Sequence, residues 1–242
     1  MTIRVLGVVI PAQNETTNIK ASIESVVRAI TWLALPVLVV VVDDRSTDGS
    51  GYRAHALLEG VQHSVLRQDI GTVGTARHAG VIEAARHFHH IAPDQLWIAS
   101  TDADSQVPRD CLSRQVIHAN AGADAVAGIV QLGPCSPALR RGFERAYALG
   151  MTRTSHRHIH GANLGFSYSA YRAAGGFRAL ACGEDNALWS DMRRTGAKLM
   201  SDPSLAVTTS ARTVSRTSDG FASVLSRIAT PSLAADPSAS GR

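Results

Sequence analysis

Leu96-Trp97-Ile98-Ala99-Ser100-Thr101-Asp102-Ala103-Asp104 joins an apolar run to a pair of carboxylates one residue apart. Leu96 to Ala99 lacks polar alternation, which predicts a strand buried on both faces. In extended chain, residues i and i+2 project to the same side, so Asp102 and Asp104 converge at the strand's exit. Two like charges held close repel, and a divalent cation removes that cost. Hard carboxylate oxygens favour Mg²⁺ or Mn²⁺, ions that keep waters and bridge to phosphates. Asp-Ala-Asp alone fits a turn or a helix cap before Pro108 equally well. The metal reading therefore depends on the rest of the chain.

Working outward towards the N-terminus, the same design repeats. Ile3 to Ile10 is an apolar, β-branched run closed by Pro11, a first buried strand. The polar loop Ala12-Gln13-Asn14-Glu15 follows, and Thr16 or Thr17 is placed to cap a helix. That helix carries Ile19, Ile23, Val26, Val27 and Ile30 at helical spacing. Val37 to Val42 predicts a second, central strand ending in Asp43-Asp44-Arg45-Ser46-Thr47-Asp48. A carboxylate there can accept from a nucleobase N–H or a ribose hydroxyl, because ligands of open α/β sheets sit outside the strands' carboxyl ends. Ser46, Thr47 and Asp48 also suit capping. Val61 to Leu66 predicts a third strand. Gly71-Thr72-Val73-Gly74-Thr75-Ala76-Arg77 then opens a helix to about His90, and glycines at a helix start allow close approach of a diphosphate. Arg77, one turn in, is placed to reach a phosphate or the Asp pair. The spacing is neither a dinucleotide fingerprint nor a P-loop.

Beyond Asp104, a helix is expected from Pro108 to Ala121, a strand over Ala125 to Val130 and a helix over Ala138 to Leu149. Strand–helix alternation predicts an α/β fold with a Rossmann-like, mostly parallel central sheet. Thr152 to His160 is polar and basic, with His156, His158 and His160 alternating, and reads better as a solvated lid than as a metal site. Gly161 to Tyr168 reads as a small-residue strand pressed against a ligand or another backbone. Gly183-Glu184-Asp185-Asn186 heads a helix. Its carboxylates cap that helix or take a proton from an attacking hydroxyl. Lys198 to Met200 and Leu205 to Thr208 are expected as two short strands. Arg212 and Arg216 precede a last helix, and residues 231–242 read as a disordered tail.

Composition sets limits. The 242 residues are 45% hydrophobic and 18% charged, which is an ordinary globular balance. With a net charge of +4 and only Lys20 and Lys198 as lysines, nucleic acid is not the default partner. An arginine excess suits oxyanion ligands. Cys111, Cys135 and Cys182 are an odd number in no metal-ligand spacing, which points to reduced thiols and a cytoplasmic protein. No apolar stretch of about 18 residues or more predicts a transmembrane segment, which leaves peripheral membrane contact open.

Six segments in order resemble those of a family-2 glycosyltransferase of the GT-A fold. They are Val9-Ile10-Pro11-Ala12-Gln13-Asn14-Glu15, Asp43 to Asp48, Ala76-Arg77-His78-Ala79-Gly80, Asp102-Ala103-Asp104, Gly175-Gly176-Phe177 and Gly183-Glu184-Asp185. The resemblance spans about residues 3 to 225 and implies one GT-A domain over 1–230. Residues 1–104 would form its nucleotide-binding half, and 105–230 a smaller acceptor and catalytic half. It implies an inverting, metal-assisted transfer from a nucleotide-diphospho-sugar donor to an acceptor hydroxyl, with Mg²⁺ or Mn²⁺ as cofactor. By position, Pro11, Gln13 and Glu15 would line the nucleoside pocket and Asp44 would meet base or ribose. Asp102 would lie near ribose and metal, and Asp104 would ligate the metal. Asp185, with Glu184 beside it, matches the catalytic base, and Asn163 falls in the sugar and acceptor pocket. Two features depart from the resemblance. No histidine follows His160, where many GT-A enzymes supply one to the metal, so Arg212 and Arg216 would hold the diphosphate, or the metal would keep a water. The Gln-x-x-Arg-Trp of processive relatives is also missing. A non-catalytic nucleotide-sugar-binding module is the main rival reading. A sugar-nucleotide pyrophosphorylase is disfavoured because the loop after the first strand lacks glycines and basic residues.

Overall fold

In the computed structural model, the structure describes residues 2–69, 71–180, 182–214 and 220–229. Arg216 and the proposed tail, residues 231–242, lie outside the described residues. The chain builds one eight-stranded sheet in the order β3-β2-β1-β4-β7-β6-β8-β5. Its strands are β1 (Val5–Ala12), β2 (Val37–Asp44), β3 (His63–Gln68), β4 (Leu96–Ser100), β5 (Ser105–Gln106), β6 (Ala125–Leu132), β7 (Leu164–Ser167) and β8 (Leu199–Thr209). β3, β2, β1 and β4 run parallel, as do β6 and β8, whereas β7 is antiparallel to both β4 and β6.

Residue alternation assigns the two faces. Leu6, Val8 and Ile10 of β1, with Val37, Val39 and Val41 of β2, pack against α1 (Ile19–Ile30), α2 (Ser50–Leu57) and α4 (Cys111–Asn120). Val5, Val9, Leu38, Val40 and Val42 pack instead against α3 (Val73–His87), α6 (Tyr168–Ala173) and α7 (Glu184–Arg194). Strands apolar on both sides need a helix layer on both sides. Gly7 lets α3 come close, since a Cβ there would stand 2.7 Å from that of Ala84. A third cluster joins Val130 and Leu132 of β6 to α5 (Pro137–Ala148) and α8 (Phe221–Ala229).

Several expectations are corrected. β1 continues through Pro11 because its pairing with β4 ends at Val9, which leaves that side without a ladder to break. Asn18, and neither Thr16 nor Thr17, stands at the N-cap of α1. The two short strands expected over 198–208 are one strand, β8, whose register against β6 shifts between Gly128 and Ile129. Asn163 explains the shift. Its Nδ2 donates to Ile129 O at 2.8 Å and Leu205 O at 2.9 Å, occupying two carbonyls at the irregularity. The strand expected from Gly161 starts only at Leu164, after a 3₁₀ turn over Gly161–Asn163.

The segment read as a solvated lid is docked. His156 is 6% exposed, and its Nε2 bonds Ala127 O at 3.0 Å. His158 Nε2 bonds Tyr147 O at 2.7 Å, and Tyr147 stacks on the His158 ring at 3.7 Å. Alternation puts these rings on one side of extended chain, where β6 receives His156 and Tyr147 of α5 receives His158.

Candidate functional site

The strand exits and two later segments enclose a cleft of about 590 Å³. It is lined by Pro11, Gln13 and Glu15 after β1, Asp44 of β2, Asp102 and Asp104 after β4, Arg77 of α3, Asp185 and Glu184 of α7, and Arg212 after β8. Every site residue expected from the sequence and described in the structure is on this wall except Asn163. Asn163 is 1% exposed, and its Nδ2 is spent on the β6–β8 irregularity. Its place is behind the cleft wall, where Nδ2 is engaged and Oδ1 is buried without a partner among the described residues.

The first wall joins two loops. Asn14, held at φ 51°, donates its N–H to Ser46 Oγ and accepts from Thr47 N–H through its side chain. Glu15 N–H donates to Ser50 Oγ at 2.8 Å and Thr16 N–H to Asp48 Oδ2 at 2.9 Å. Ser46 and Asp48, read as caps, thus tie the β2 exit to the β1 exit. Asp44 accepts the Gly71 N–H on both oxygens at 3.1 Å. Gly71 sits at φ 86°, a left-handed conformation open to glycine, so the loop can turn its amide onto that carboxylate.

Arg77 organises the middle. It is 2% exposed, and its guanidinium divides among three partners. Nε donates to Ser100 Oγ at 3.0 Å, Nη1 to Glu184 Oε1 at 2.8 Å and Nη2 to Asp102 Oδ1. All three of its nitrogens are thus engaged, two of them by carboxylates. Gly161 makes room for it: a Cβ there would meet Nη2 at 2.3 Å. Burial pushes the Glu184 carboxyl above its ordinary pKa, and Arg77 opposes that shift.

Asp185 faces the cleft on different terms. Oδ2 accepts the Gly161 N–H at 2.8 Å, and Oδ1 accepts the Asn186 N–H at 2.7 Å. No cationic side chain pairs with it among the described residues. Its neighbour on the wall is His160, whose Nε2 lies 2.9 Å from Tyr147 Oη, while that hydroxyl accepts from Val130 N–H. Burial raises the Tyr147 phenol to about 12 and lowers His160 to about 4, so a neutral imidazole accepts a hydrogen bond from the phenol. Sequence reading assigned His160 to a lid and Gly161 to a small-residue strand pressed against a ligand or another backbone. The glycine following the last of three alternating histidines was the available signal.

Asp104 is the metal candidate. Burial, then the neighbouring Asp102, lift its carboxyl to about 6, against the pull of Arg212. Arg212 Nη2 stands 3.0 Å from Asp104 Oδ2, and Nη1 donates to Glu15 Oε1 at 2.6 Å. Among the described residues no three His, Cys, Asp or Glu side chains gather closely enough to hold a metal. Mg²⁺ and Mn²⁺ need fewer, since one or two carboxylates plus phosphate oxygens and water suffice. The hard carboxylate oxygens of Asp104 and Asp102 fit such an ion.

Comparison with solved structures places the fold. TarS from S. aureus, residues 1–349 in complex with UDP-GlcNAc, matches with a TM-score of 0.65 and 13% identity, over 87% of this chain and 58% of that one. The mannosyltransferase PcManGT from Pyrobaculum calidifontis, in complex with GDP-Man and Mn²⁺, matches with a TM-score of 0.56 and 21% identity, over 86% and 57%. The chain thus spans less than two thirds of the length of either. Among the described residues no helix is long and apolar enough to cross a membrane. The comparison with curated proteins gave no match. The family model for glycosyl transferase family 2 matches residues 7–176, more than half of the chain, and the protein belongs to that family.

Proposed function

We propose that the protein is an inverting glycosyltransferase that moves a sugar from a nucleotide-diphospho-sugar to an acceptor hydroxyl with a divalent cation at Asp104. One observation carries the reading: carboxylates from three separate strand exits and one helix start face a single cleft, and Asp185 alone of the α7 pair is left without an arginine. The TarS and PcManGT structures, with UDP-GlcNAc and GDP-Man bound, support a nucleotide sugar as donor.

Pro11, Gln13, Glu15 and Asp44 hold the nucleoside at the β1 and β2 exits. Asp104, with Asp102 beside it, would hold Mg²⁺ or Mn²⁺, which when bound supplies positive charge to a departing diphosphate. Arg212, with Arg216 as the second candidate, binds the diphosphate oxygens. Arg77 orients Asp102 and Glu184 rather than meeting the donor. Asp185 takes the proton of the acceptor hydroxyl. Its two fixed hydrogen bonds aim the carboxylate, and no arginine pairs with it among the described residues. Attack from that side, opposite the leaving group, inverts the anomeric carbon.

The test is nucleotide release from UDP-, GDP- and dTDP-sugars with Mn²⁺, with and without EDTA. Asp185→Asn is expected to bind donor normally and to turn over about 10² to 10⁴-fold more slowly. Unchanged turnover removes Asp185 from the role, and full activity in EDTA removes the metal. Donor binding with no turnover for any acceptor would favour the non-catalytic module.

A further inference from the structure

The cation at Asp104 is Arg212, and its position is built by the surrounding chain. Ser210 N–H donates to Asp104 O at 3.2 Å, and Ser210 Oγ accepts the Arg212 N–H at 3.3 Å, pinning the segment after β8 beside Asp104. The guanidinium bridges Glu15 Oε1 and Asp104 Oδ2, across the exits of β1 and β4. Glu15 is fixed from its other side, where Oε2 accepts from Asn18 Nδ2 at 2.8 Å. The two carboxylate side chains are 5% and 10% exposed, while that of Arg212 is 35% exposed. The arginine is therefore the member with room to move.

A metal ion on Asp104 Oδ2 would meet a guanidinium already 3.0 Å from that oxygen. Two positive charges brought onto one carboxylate repel in a partly buried site. We infer that Arg212 competes with the divalent cation for Asp104, so that the metal enters only with a diphosphate that draws the guanidinium away. This rests on the glycosyltransferase reading for the identity of the diphosphate, but the competition is a property of the chain alone. It makes metal and nucleotide binding positively linked: each raises the affinity of the other, because the phosphate oxygens offer Arg212 a second oxyanion to fork onto.

The experiment titrates Mn²⁺ into the full chain without nucleotide and reads free Mn²⁺ by electron paramagnetic resonance. Arg212→Gln is expected to bind one Mn²⁺ on the order of tenfold more tightly than the unaltered protein, as the loss of a charge-assisted contact implies. Adding Asp104→Asn to that variant is expected to abolish the gain. UDP or GDP is expected to tighten Mn²⁺ binding in the unaltered protein by more than in Arg212→Gln. Arg212→Lys, which keeps the charge without the fork, is expected to fall between and carries the test should Arg212→Gln fail to fold. Equal Mn²⁺ affinity with and without the guanidinium overturns the inference, as does a gain that survives Asp104→Asn. A protein that shows the gain yet turns over no sugar nucleotide loses the glycosyltransferase reading and keeps this one.

Discussion

Gly161 shows how a single hydrogen atom in place of a side chain governs this site. Its Cα faces the Arg77 guanidinium and its N–H holds Asp185, so one residue touches both the buried ion triad and the carboxylate we assign as base. A methyl group there would stand 2.3 Å from Nη2, and Arg77 is too buried to step aside. Gly161→Ala is expected to lower stability by about 1–3 kcal/mol, in the range of core overpacking. It is also expected to reduce turnover more than donor affinity. Thermal unfolding and donor titration read the two effects separately. Unchanged stability would mean that the Arg77 triad yields more easily than its burial implies.

Elements carry a different lesson. The 156–160 segment is held by α5 through Tyr147, whose hydroxyl bonds Val130 N–H on one side and His160 on the other. His160 is lowered to about 4, chiefly by burial, against about 6.5 in an unfolded chain. Between those values the folded state binds fewer protons than the unfolded one, so this group's contribution to stability rises with pH across the window. It is fully present above about 6.5 and is lost as pH falls towards 4. Asp104, raised to about 6, works in the opposite sense over a similar range, so the whole protein's profile is the sum of the two. The clean readout is therefore a difference. The unfolding midpoint of the unaltered protein minus that of His160→Gln is expected to grow from pH 4 to 6.5. A flat difference would place His160 in contact with water rather than packed under Tyr147.

On the scale of the molecule, the cleft exists because parallel strands all deliver their carboxyl ends to one edge of the sheet. Any diphosphate bound there stabilises the folded state by mass action, by about 2.7 kcal/mol at a hundred times its dissociation constant. Thermal shift with UDP or GDP is expected to rise further when Mn²⁺ is added, and Asp104→Asn is expected to remove the added rise. A rise of equal size in Asp104→Asn would place the ion elsewhere.

Much of this was legible in the residues themselves. Val37 to Val42 and Leu96 to Ala99 are apolar without alternation, and local pattern suffices to make each a strand covered on both faces. The carboxylates that close them sit at strand exits for the same reason, so the positions of Asp44, Asp102 and Asp104 follow from local pattern. Contacts distant in sequence were not legible. That Arg77 spends its fork on Asp102 and Glu184, that Asn163 fills the β6–β8 irregularity, and that His158 and His160 dock on Tyr147 of α5 all depend on partners 11 to 107 residues away. Periodicity records which face of an element is apolar. Which charged group ends beside which carboxylate follows only from how the packed layers bring their ends together, and that is how Arg212, 197 residues after Glu15, comes to bridge Glu15 and Asp104.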